Sequence, residues 1–337
     1  MMAAMDDSAS LQTEDRRLDE PPADHPPSVS GGRRILLGLG LAVLTAVTAW
    51  LFGHLPWVLS GFSWTTSEAA PVGSSTEGLA GVRLTVPLVA RFLPSLIAFT
   101  TVGAVAAALL PLVLTTKSGK RLPAIAVVLV SLAVTTVAVT LLARRTIQDH
   151  ASDAFAGDSR VLSGLVLVVL GTTALAALLG TLACVQVGFL PLAAGLAAGQ
   201  LPMWVQGFLV DRGSGTGTIR AAQQVSHWLV LVVLAVAFVL SVRRSPAWML
   251  LWPVAIAMVW MAVPFHVMTT QLAGQLRPSS GLPDTLPDIL RGGVDVFRAS
   301  FWEAPQALWP WLVAVLVALL WMAAERGMRG SLIGARR

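Results

Sequence analysis

Over most of this chain, apolar positions come in long runs and not in the two-residue alternation of a half-exposed strand or the 3.6-residue stripe of a soluble surface helix. The runs recur at roughly the 20-residue length that crosses a hydrocarbon core about 30 Å thick. Lipid offers backbone groups no hydrogen bonds, so each run must bond within itself as an α-helix. The pattern predicts eight spans: Ile35 to Gly53, Phe92 to Leu114, Leu122 to Leu142, Val161 to about Leu182, about Gln186 to Val210, Ser226 to Val242, Ala247 to Met268, and about Gln306 to Met322. The expected fold class is therefore all-α, a polytopic transmembrane helix bundle of about eight spans.

The segments outside the spans set the domain organisation. Residues 1–32 carry seven acidic side chains and several prolines but no periodic apolar pattern, which predicts a disordered tail. The next run is too long, and too far from residue 1, for a typical signal peptide, so it reads as a retained anchor. The expected division is an acidic, Pro-rich cytoplasmic tail (1–32), a transmembrane helical domain (33–325) and a basic cytoplasmic tail (326–337).

Composition supports the membrane reading: 55% of residues are hydrophobic and only 12% charged, too few to clothe a soluble fold. Basic residues near span ends resist translocation, whereas acidic ones matter little. With eight alternating spans, Arg33/Arg34, Lys117/Lys120/Arg121, Arg243/Arg244 and Arg326/Arg329/Arg336/Arg337 all fall on one face. That face is predicted to be the cytoplasm, with both termini inside and the longer links outside. Arg144 and Arg145 fall on the predicted outer face and count against this orientation.

The fifth predicted span holds most of the candidate chemistry. Gly195 and Gly199 form a GxxxG pattern, in which missing side chains let a second helix approach closely. Gln186, Gln200 and Gln206 lie in the same segment with Trp204, where amides can either line a ligand cavity or bond neighbouring helices. Pro191 and Pro202 leave open a broken or re-entrant segment. Near the chain's other end, Ile289, Leu290, Val294, Val296, Phe297 and Phe301 recur at helical spacing. Together with Trp302, Trp309 and Trp311 they predict an amphipathic helix on the outer interface, touching lipid or a partner. Val82 to Arg91 is a weaker case of the same kind.

None of the eight spans as drawn contains Asp, Glu, Lys or Arg. Proton-coupled carriers and intramembrane hydrolases commonly place such groups at membrane depth. His227 and His266 are the titratable groups read near span interiors, each close to an end. The single cysteine, Cys184, permits no disulfide and no cysteine metal site. Gly213-Ser-Gly-Thr-Gly217 lacks the pattern and strand context of a phosphate loop. No cofactor, metal or nucleic acid is expected, and the expected partners are membrane lipids and other membrane or envelope proteins. Transport or translocation in the cytoplasmic membrane ranks first, a non-enzymatic envelope scaffold acting through outer loops second, and an enzyme third.

Overall fold

Eight helices among the described residues are long and apolar enough to cross a membrane. The structure is a computed structural model and describes residues 31–59, 88–115, 121–150, 159–209, 216–276, 286–303 and 308–334. The helices are α1 (Gly31–Leu59), α2 (Leu93–Ala108), α3 (Leu110–Leu114), α4 (Arg121–His150), α5 (Ser159–Val185), α6 (Leu190–Leu209), α7 (Thr216–Val242), α8 (Trp252–Gln275), α9 (Leu286–Glu303) and α10 (Trp309–Gly334). No strand occurs among the described residues. Residues 1–39 and 40–337 form two units, and the helix packing of the bundle lies within the second. Residues 1–30 of the expected acidic tail and the Val82 to Pro87 half of the weaker interfacial candidate lie outside the described residues, and the tail's last two residues, Gly31 and Gly32, begin α1. The other half of that candidate leads into a short 3-10 turn, Ala90–Phe92.

Proline chemistry sets several boundaries. Pro94, Pro111 and Pro253 each stand in the first turn of a helix, where a missing N–H costs nothing. Pro111 also explains why the second span is two helices: it cannot donate to the Ala107 carbonyl, and the chain turns at Leu109 between α2 and α3. Pro191 is again at a helix start, so the fifth span is one continuous helix with Pro202 inside it. The alternative of a broken or re-entrant segment is set aside by that continuity.

Several spans outrun their predicted ends. Helix α1 continues past Gly53 to Leu59, α7 begins at Thr216 instead of Ser226, and α8 runs beyond Met268 to Gln275. Hydropathy falls at the first polar residue, but the hydrogen-bond ladder does not stop there. Extended in this way, the spans take in Arg121, Arg144, Arg145, Arg160, Arg220, Glu325 and Arg326 at their ends. Arg243, just past α7, lies over the Trp321 ring of α10 at 5.5 Å, a cation–π contact where the two helices meet.

Helices α2 and α6 are the most buried spans, while α1 and α10 bury the fewest of their residues. Helix α6 packs against α2, α5, α7 and α8; α10 packs on α7 and α9 on α8. The interior is built from small residues such as Ala98, Ala107, Ala193, Ala198 and Ala255, around Leu96, Leu162, Leu234 and Phe238. In lipid, apolar contact alone does not drive helices together, so association rests on close approach and dispersion. Where α1 crosses α2, a Cβ added to Gly103 would lie 2.7 Å from the Ala49 carbonyl oxygen and 2.9 Å from the Gly53 Cα. Only glycine permits that crossing.

Candidate functional site

Two glycines bring α6 against α8. A Cβ on Gly195 would meet the Cα and carbonyl oxygen of Ala255 at 2.8 Å, and one on Gly199 would meet the Ala262 Cβ at 2.8 Å. The GxxxG pattern is thus occupied by packing within the chain. The close approach carries one turn further, to Gln200 and His266, which are only 5% and 9% exposed. His266 Nε2 stands 2.7 Å from Gln200 Oε1. A carboxamide oxygen only accepts, so Nε2 carries the proton and donates, leaving the neutral ring's Nδ1 as its acceptor. The His266 carbonyl in turn accepts from the hydroxyls of Thr269 at 3.0 Å and Thr270 at 2.8 Å.

Each partner of this pair is close to a proline inside its own helix, Pro202 in α6 and Pro264 in α8. Lacking an N–H, Pro202 gives no helical bond to the Ala198 carbonyl and Pro264 none to that of Trp260. Both helices are therefore weakened where the polar pair joins them. The sequence reading placed His266 near a span end; the continuation of α8 to Gln275 puts it inside the helix.

The other candidates of the fifth span separate. Trp204 Nε1 donates to the Phe52 carbonyl at 2.6 Å, and its ring stacks on that of Phe52 with centroids 6.2 Å apart, which fastens α6 to α1. Gln186 is exposed before the 3-10 turn Val187–Phe189, roughly 20 Å along the helix axis from Gln200 at 1.5 Å per residue. Gln206 is half-buried, six residues beyond Gln200 and thus about 120° around the helix from it. The three amides therefore do not converge on one cavity; of the two alternatives, Gln200 takes that of bonding a neighbouring helix, through His266.

Helix α9 has the predicted amphipathic character, but its apolar stripe is shared between two surroundings. Gly293 faces α8, where an added Cβ would meet Leu272 at 3.0 Å. Ile289, Phe297 and Phe301 are half-buried on that side, with the Phe301 ring edge-on to Trp260 at 6.4 Å. Leu290 and Trp302 stay 52% and 83% exposed. Arg291 pairs with Asp288 at 3.6 Å and Arg298 with Asp295 at 3.9 Å. Those exposed ion pairs contribute little to stability.

Sequence reasoning missed a fourth feature. Helices α1, α2, α4 and α5 line a partly open cavity of about 30 Å³ whose lining includes His54, Thr100, Thr135, Thr136, Thr140 and Thr173. The Thr100 and Thr172 hydroxyl oxygens lie 2.9 Å apart, and each is also within reach of a carbonyl one turn back. With one hydrogen apiece, one hydroxyl donates to its carbonyl while the other donates either to that hydroxyl or to its own carbonyl. Both ring nitrogens of His54 and the Thr140 hydroxyl are buried without a hydrogen-bond partner. The available signal was a Thr-Thr pair in each of three successive spans, Thr100-Thr101, Thr135-Thr136 and Thr172-Thr173.

No cluster of three or more His, Cys, Asp or Glu able to hold a metal occurs among the described residues. Cys184 is buried, with Sγ 3.2 Å from the Ala108 carbonyl oxygen. Comparison of the chain with protein-family models, with curated proteins and with solved structures finds no match.

Proposed function

We propose that this integral membrane protein is a transport or translocation component of the cytoplasmic membrane, working through the α6–α8 seam, with its arginine-dense flanks inside the cell. The observation that carries the reading is the buried His266–Gln200 hydrogen bond between two helices that each contain an internal proline. Polar groups at membrane depth are costly and are characteristic of solute paths. A proline inside a continuous membrane helix frees one backbone carbonyl and weakens the helix there, which suits a part that rearranges around such a path.

The pair lies between helices whose middles carry no Asp, Glu, Lys or Arg among the described residues. That chemistry suits a weakly polar or apolar solute better than an ion. The test is flux in reconstituted vesicles loaded with a panel of neutral solutes. Gln200→Leu and His266→Leu reduce flux of the transported member while the protein remains folded. Unchanged flux in both well-folded variants removes the seam as the path.

A second reading, an envelope scaffold, is favoured by the outward flank of α9, where Leu290 and Trp302 are exposed beside Arg291 and Arg298. Photo-crosslinkers placed at these positions capture an envelope protein if the scaffold reading holds. Recovery of lipid alone defeats it.

A further inference from the structure

The cavity among α1, α2, α4 and α5 is separate from the α6–α8 seam and independent of the transport reading. It is too small for an organic solute. A water molecule needs about 10–15 Å³ of accessible space and two to four polar partners. The cavity offers about 30 Å³, together with two imidazole nitrogens and one hydroxyl that have no partner in the protein. The Trp50 carbonyl, one turn back on α1, lies near the His54 ring but outside hydrogen-bonding geometry, and would in any case serve only one nitrogen.

The inventory of donors and acceptors selects the guest. A neutral imidazole presents one N–H and one bare nitrogen, and a threonine hydroxyl both gives and accepts. A cation would face the N–H, and an anion would face the bare nitrogen. No Asp, Glu, Lys or Arg lines the cavity to offset a full charge. The lining is largely apolar, as in dry cavities that bind xenon, but it includes His54 and Thr140, whose buried polar atoms have no hydrogen-bond partner in the protein. Thr140 is 2% exposed, and it and His54, on α4 and α1, both line the cavity.

We propose that this cavity is a built hydration site, holding one or two water molecules that bridge the His54 imidazole and the Thr140 hydroxyl inside the membrane domain.

The experiment uses the full chain in lipid nanodiscs with ¹⁵N-labelled histidine. It reads dipolar transfer from water protons to the His54 ring N–H, assigned by its loss in His54→Phe. Transfer is expected in the wild type and in Thr140→Ser, which keeps the hydroxyl. It should be weaker by about threefold or more in Thr140→Val, which is close in shape but lacks one of the two anchors a buried water needs. Absence of transfer in the wild type overturns the proposal, as does a signal unchanged in Thr140→Val. Where His54→Phe fails to fold, the Thr140 pair alone decides. Xenon uptake at the site in the wild type likewise marks it as dry and overturns it.

Discussion

His266 donates to Gln200 across 2.7 Å at a seam where both helices contain proline. Removing one partner leaves the other buried and unpaired, so Gln200→Leu or His266→Leu is expected to lower stability by about 1–3 kcal/mol. The double variant should lose less than the sum of the two. Interhelical hydrogen bonds in membranes couple by about 0.6 kcal/mol on average and at most about 1.7. A double-mutant cycle on unfolding from bicelles measures this directly. Strict additivity would mean that the two side chains do not act on each other.

The glycine seams give a second prediction. At Gly199 the missing side chain is matched to Ala262, and at Gly103 to the backbone of α1. Gly199→Val and Gly103→Val should each destabilise the monomer by roughly 1–3 kcal/mol, the usual cost of overpacking. The oligomeric state should not change, because both faces are spent within the chain. A shift to a different oligomer with unaltered thermal stability would place the Gly195/Gly199 face outside the bundle.

What was legible in the sequence depends on the physics that fixes each feature. The eight spans were readable because bilayer thickness imposes a length on the chain, as in Leu122 to Leu142, which lies within the observed α4. Helix ends were not readable from hydropathy. Gln223, Gln224 and Arg220 lower it without breaking the backbone ladder, so α7 starts earlier than predicted. The same effect hid His54, one residue past the predicted end of the first span. Gly195 and Gly199 carried a pattern, but their partner on α8 did not, since packing at Ala255 and Ala262 depends on tertiary geometry. Gly103 and Gly53 carried no pattern at all. Threonine, neutral on a hydropathy scale, concealed a cavity that exists only where four helices meet.

Helix α9 yields a third prediction. Trp302 on α9 is 83% exposed, whereas Trp311 is buried and Trp260 half-buried, packed against Phe301 and Trp311. A tryptophan at headgroup depth meets lipid quenchers that a packed one does not. Shallow-labelled lipids should therefore quench wild-type fluorescence more than that of Trp302→Phe, and deep-labelled lipids should show a smaller difference. Equal quenching of both proteins by shallow labels would take α9 off the interface.

An even number of crossings returns a chain to the side it started from, and this is the prediction on which sidedness depends. Cys184 is buried, so Cys184→Ser, which retains a donor toward the Ala108 carbonyl, makes a quiet background for single-cysteine labelling. Gly32 and Gly327 are exposed at the ends of the first and eighth spans, and Ala299 is exposed on α9 between the seventh and eighth. With an impermeant maleimide on sealed vesicles, Gly32→Cys and Gly327→Cys should react from one face and Ala299→Cys from the other. The excess of arginine at the span ends predicts that the first face is the cytoplasmic one, since basic flanks resist translocation. Labelling of Gly32→Cys and Gly327→Cys from opposite faces would require an odd number of crossings. One of the eight helices would then lie along the membrane instead of through it.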